Sequence, residues 1–140
     1  MNIIFNEQED DCWTCTSFKI KNKRKDIRLT LTSRTKPDEI YINKSLNKLS
    51  QIDNLILKAS KKILENYSYE HYKNLNVPEE KLEKVETAEA ISKRASLEEV
   101  WFCSSECDEF ELSFTVPWDD YHSYDVEFEE NEPVCCSVNG

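Results

Sequence analysis

Polar and apolar residues alternate with a period of two towards both ends of the chain and with a helical period through its middle. Ile27-Arg28-Leu29-Thr30-Leu31-Thr32 alternates strictly and predicts a strand with Ile27, Leu29 and Leu31 on one face. The mixed run from Trp13 to Ile20 and the short apolar Ile3-Ile4-Phe5 predict two earlier strands, with the charged stretch 21–26 as a hairpin loop. After Pro37 the period changes: Leu46, Leu49, Ile52, Ile56, Ala59, Ile63 and Tyr67 recur at spacings of three and four, one stripe of a long helix. Lys48, Lys58, Lys61, Lys62 and Glu65 occupy its other face, and Tyr67, Tyr69 and Tyr72 gather near its end around His71. A shorter helix is predicted from Pro78 to Ile91, with a thin apolar face of Leu82, Val85, Ala88 or Ala90, and Ile91. From residue 98 the two-residue period returns. Val100 and Phe102, then Phe110, Leu112, Phe114 and Val116, then Tyr124, Val126 and Phe128, then Val134, Cys136 and Val138 mark successive strands, with a turn at Pro117-Trp118-Asp119-Asp120. Residues 1–140 are therefore expected to form a single α+β domain. Its antiparallel sheet is built from the N- and C-terminal strands, with one long and one short helix on one face.

Composition narrows the chemistry. With 39% hydrophobic residues the chain can build a packed interior, while a single Gly argues against Gly-rich phosphate loops. Most turns must then come from Asn, Asp, Ser and Lys. The start Met1-Asn2-Ile3-Ile4-Phe5 lacks the basic and apolar regions of an export signal, and no apolar stretch is long enough to span a bilayer. A cytoplasmic location with no membrane association is expected, and there the six cysteines at 12, 15, 103, 107, 135 and 136 would be reduced thiols.

Charge is unevenly placed. Residues 98–140 hold thirteen Asp or Glu and no Lys or Arg, whereas residues 1–97 hold all eighteen basic residues against fifteen acidic ones. An acidic surface repels nucleic acid. It either only solvates the strands that carry it or faces a basic partner. The five basic residues between Lys19 and Lys25 have no aromatics among them and read as a solvated turn.

No motif assembles a catalytic site. Cys12-x-x-Cys15 falls in a strand, where residues three apart point to opposite faces, and Cys103-x-x-x-Cys107 converges only if 104–106 turns sharply. Cys135 and Cys136 are strand neighbours that face apart. The two histidines are His71, among tyrosines, and His122, beside Asp119, Asp120 and Asp125. A turn-capping His122 is the ordinary reading. The alternative is a metal-binding protein or metal-dependent enzyme built on His122, Asp119 and cysteines. The expectation is a protein that is not an enzyme and uses no cofactor; a structural or regulatory domain without a ligand is a further alternative.

The segment Trp118-Asp119-Asp120-Tyr121-His122-Ser123, followed by Tyr124-Asp125-Val126-Glu127-Phe128, resembles a bacterial family of small domains. Its members carry Trp-Asp-x-Glu-His-Gly between two late strands that follow a long central helix. Here Tyr121 stands where the family has Glu, and Ser123 where it has Gly. The resemblance implies an immunity-type protein, encoded beside a polymorphic toxin and neutralising it by direct binding. Together with the charge map it makes Glu109, Glu111, Trp118, Asp119, Asp120, His122, Glu127 and Glu129 the candidate partner-binding residues. The partner would be a protein, a basic toxin domain, with an exposed Trp118 or Trp13 as aromatic anchor.

Overall fold

A computed structural model describes residues 3–21 and 23–140; Asn22, in the connector read as a hairpin loop, lies outside them, as do Met1 and Asn2. The elements are β1 (Asn6–Glu9), β2 (Cys12–Phe18), β3 (Ile27–Thr32), α1 (Glu39–Leu49), α2 (Ile52–Leu64), α3 (Tyr69–Asn74), a 3₁₀ turn (Glu79–Lys81), α4 (Ala88–Arg94), β4 (Ser96–Phe102), β5 (Glu109–Val116), β6 (Asp119–Glu129) and β7 (Glu132–Asn139). The seven strands form one sheet in sequence order. Every neighbouring pair is antiparallel except β3 and β4, which run parallel. Parallel neighbours need a long crossover, and all the helices lie in it.

The predicted strand alternation places one continuous apolar layer on one face of the sheet. Cross-strand partners share a face, so Trp13, Leu31, Phe102, Phe110 and Phe128 form one row, and Cys15, Leu29, Val100, Leu112, Val126 and Cys136 the next. Phe110 stacks on Phe128 at 4.9 Å and meets Phe102 at 5.5 Å. Helix α2 covers this layer, packing on β6, β7 and α4 through Ile52, Leu55, Ala59 and Ile63. From α1 the buried Tyr41 hydroxyl donates to the Thr32 carbonyl at 3.0 Å and the Phe102 carbonyl at 3.4 Å, joining the ends of β3 and β4. Burial, and then the nearby Cys107 and Cys103 thiols, push its pKa well up, so it stays a donor.

The helices depart from expectation. The single long helix is two, because the chain breaks at Ser50-Gln51. The Ser50 hydroxyl donates to the Asn47 carbonyl at 2.5 Å, and the Ser50 and Gln51 N–H groups close tighter turns onto Asn47 and Lys48. The apolar stripe survives the break because the two segments keep nearly the same phase. Helix α1 also starts earlier than its apolar stripe, at Glu39, capped by Asp38, whose side chain accepts from the Tyr41 N–H. The predicted 78–91 helix is instead a 3₁₀ turn and α4. Between them Arg94 donates to the Glu83 carboxylate and to the carbonyls of Glu80 and Leu82, while the Tyr67 hydroxyl bonds both the Glu83 carbonyl and N–H. Those bonds occupy backbone groups that a helix would need, and Val85 stands exposed instead of packing. At the N-terminus the predicted strand over Ile3-Ile4-Phe5 is not formed; β1 begins at Asn6, and Phe5 is buried in the core.

With its one glycine at position 140, the chain makes its left-handed turns from other residues: Asp11, Asn76, Cys107 and Glu130 all have φ near +60°. Among the described residues no helix is long and apolar enough to cross a membrane.

Leu29 sits at the β3–β4 join with no exposure, whereas Val138 on the edge strand is 40% exposed. Leu29→Ala is expected to cost about 3 kcal/mol in denaturant unfolding and Val138→Ala less than about 1 kcal/mol, because only the first leaves a buried cavity.

Candidate functional site

No helix among the described residues covers the opposite face of the sheet, which is buried at Thr14 and Thr30 and open over β5 to β7. One row crosses all seven strands on this outer face: Asn6, Thr14, Thr30, Trp101, Glu111, Glu127 and Cys135. A flanking row carries Arg28, Glu99, Ser113, Asp125 and Ser137, and Glu109 pairs with Glu129 on the other side. The sequence-predicted quartet Glu109, Glu111, Glu127 and Glu129 is thus assembled as two directly opposed pairs, with Asp125 and Glu99 beside them.

The lysines neutralise the margins of this surface and leave its middle. Lys25 pairs with Glu98, Lys44 with Glu106, Lys81 with Asp120 and Lys58 with Glu132, while His122 meets Asp119. Of the thirteen acids in 98–140, these five have a basic neighbour. The other eight, Glu99, Asp108, Glu109, Glu111, Asp125, Glu127, Glu129 and Glu130, have no ion-pair partner among the described residues. Glu111 registers the consequence: partial burial, then the charges of Asp125, Glu127 and Glu99, raise its carboxyl above the ordinary range.

Trp101 lies in the same row, half-buried, and its indole N–H donates to the Thr32 hydroxyl at 2.8 Å, tying the ring to β3. Next to it Thr30 donates to Glu99 at 2.8 Å and shares a hydrogen bond with Thr14. Trp101 is the aromatic in the acidic field, and the sequence reading passed over it. Its signal was present, since an outward Trp between inward Val100 and Phe102 is an apolar residue on the wet face. Trp118, in contrast, is only 2% exposed and cannot serve as the exposed anchor; it packs on Tyr67 at 4.4 Å and on Tyr72 and Tyr124. Trp13 packs against the core and donates to the Ser33 carbonyl.

The remaining predicted residues form a separate feature at one end of the sheet. The turn is Pro117-Trp118, and Asp119 already opens β6. The Asp119 carboxylate accepts from His122 Nδ1 at 2.8 Å, from the Tyr121 N–H at 3.2 Å and from the Tyr124 hydroxyl at 3.2 Å. Partial burial opposes its ionisation, but the His122 and Tyr121 hydrogen bonds outweigh that and hold its pKa below the usual carboxylate range. With α3 and the 75–81 segment this end encloses an open cleft of about 520 Å³, rimmed by Leu75, Lys81 and the 86%-exposed Tyr121. Asp120 reaches the rim and pairs with Lys81 at 3.6 Å.

All six cysteines are free thiols. Cys12 faces outward opposite Thr32 and Cys15 inward opposite Leu29, while the 104–106 turn forms and leaves Cys103 exposed and Cys107 buried. Among the described residues no three His, Cys, Asp or Glu side chains are grouped to hold a metal ion, and the cysteines do not join Asp119 and His122. No family model matches the chain, and neither a curated protein nor a solved structure does.

The raised pKa of Glu111 means that the folded state holds its proton more tightly than the unfolded chain does. Its ionised form therefore destabilises the fold at neutral pH, and that penalty disappears as pH falls below the unfolded value. Glu111→Gln should raise Tm by about 1–3 °C at pH 7, with the gain shrinking towards pH 4 in thermal scans. The lowered Asp119 pKa has the opposite sign: its contribution is present above the ordinary carboxylate pKa and lost on acidification. His122→Ala removes the main donor to Asp119 and should cost about 1 kcal/mol, a few degrees in Tm, at neutral pH.

Proposed function

We propose that this chain is a protein-binding module of the immunity type, one that neutralises a basic toxin domain by direct contact through the outer face of its sheet. The observation that carries this reading is the field of unpaired carboxylates around Trp101 on a sheet face without helices. Like charges placed opposite each other cost stability in the free protein, and a cationic partner turns that cost into attraction on binding. Trp101 supplies the large, partly exposed aromatic that interface energetics favour, ringed by groups that confer charge specificity. The neutralised margins confine the negative potential to the central strands, which directs a basic partner to that face. The resemblance of Trp118 to Phe128 to immunity-type domains supports the same reading, with the buried Trp118 and the Asp119–His122 pair shaping the end of β6.

The test is affinity purification with the tagged chain from the cells that make it, set beside the Glu111→Lys, Glu127→Lys double variant. The wild type is expected to retain a basic protein at low salt and to release it steeply as salt rises. The variant, folded as judged by circular dichroism, should retain about tenfold less or none. Equal capture by both, with no salt dependence, would reduce the acidic face to a solvated surface.

A further inference from the structure

Strand β7 is the last of the sheet, and among the described residues no strand lies beside its outer edge. Edges of this kind are usually blunted by lysines, prolines, bulges or a covering element. Here such protection is confined to the start of the strand. Pro133 and the register shift at Glu127/Phe128 lie there, and Lys58 reaches over to the Asn131 carbonyl and Glu132. From Cys135 to Asn139 the pairing with β6 is regular, the sequence Cys-Cys-Ser-Val-Asn carries no charge, and all but Cys136 are exposed. The opposite edge, β1, has four residues and a register shift of its own.

The two faces beside this edge differ in chemistry. On the outer face Cys135 lies opposite Glu127 and Ser137 opposite Asp125. Both edge residues are small, so a long side chain on an added strand can pass over them to the carboxylates one strand further in, roughly 10 Å away at ordinary strand spacing. On the helix face the edge offers Cys136 and the 40%-exposed Val138.

We propose that the partner supplies an extended segment that pairs with β7 as an eighth strand, alternating Lys or Arg on the outer face with apolar residues on the helix face. The inference rests on the reading of the outer face as a surface for a basic partner and names how that partner is held. Backbone hydrogen bonds to the edge provide affinity, while Asp125 and Glu127 select for cations in alternate positions. A second copy of this chain fits the edge poorly. Pairing β7 with β7 would join two carboxylate fields into one surface in a protein of net charge −10.

The experiment uses the whole chain and a capped octapeptide of alternating Lys and Val, measured at low ionic strength by calorimetry and by backbone amide NMR. Saturable binding is expected, with amide shifts concentrated in residues 135–139. A second peptide, N-methylated at alternate residues, should bind about tenfold more weakly, as should the first peptide to Glu127→Lys. If the N-methylated peptide binds equally well and the 135–139 amides stay put, edge pairing is wrong while the acidic-face reading stands. If neither peptide binds saturably, or if the free chain forms a β7-linked dimer that the peptide does not displace, the edge inference is overturned.

Discussion

The parallel contact between β3 and β4 is the constraint on which the rest of the molecule depends. Every other strand pair joins sequence neighbours through a short connection, and each could form locally as a hairpin. The β3–β4 pair closes only after residues 33–95 have folded back across one face, so the crossover must be compact before the two halves of the sheet can meet. Tyr41 meets that need directly. Its position on the first crossover helix lets one buried hydroxyl bond the final carbonyls of both strands, fixing the helical layer to the join. Leu29, Leu31, Val100 and Phe102 then complete the apolar layer across the seam.

Placing all the helices on one face has an electrostatic result. The face they leave open is made largely of β4 to β6, the part of the sequence without Lys or Arg. The basic residues lie in the crossover and the N-terminal hairpin, so they reach the acidic strands at their margins, as Lys25, Lys44, Lys58 and Lys81 do, while Arg28 stands opposite Glu99 at the β3–β4 join. At the centre Glu109 faces Glu129 and Glu111 faces Glu127, with Trp101 opposite Glu111 on the next strand. Partition of charge along the chain thus becomes partition of charge in space, and the crossover topology is what converts one into the other.

The strand faces were legible because burial on one side enforces a period of two: Ile27 to Thr32 and Phe110 to Val116 are found as read. Pairing of Glu111 with Glu127 was likewise readable from adjacent alternating strands joined by a short turn. The helix break at Ser50 was not, because side-chain competition for the Asn47 carbonyl leaves the apolar stripe in phase. Nor was the non-helical 82–87 segment, which is held by Arg94 and Tyr67 from outside it. The parallel join lies beyond any local pattern. Trp118 was read as an exposed anchor because a turn position suggests exposure, but Tyr67 between α2 and α3, Tyr72 of α3 and Tyr124 of β6 bury it.

The outer face is a mutually repelling carboxylate surface, and its proposed role is to receive a basic partner. Titration of the Glu111 side-chain carboxyl by carbon-detected NMR reads partial burial and that repulsion together at its centre, and the response to salt separates the second. The structure predicts a midpoint above the ordinary glutamate value, moving back towards it when salt is added or when Glu127 is replaced by Gln. A midpoint at or below the ordinary value, indifferent to both changes, would contradict it.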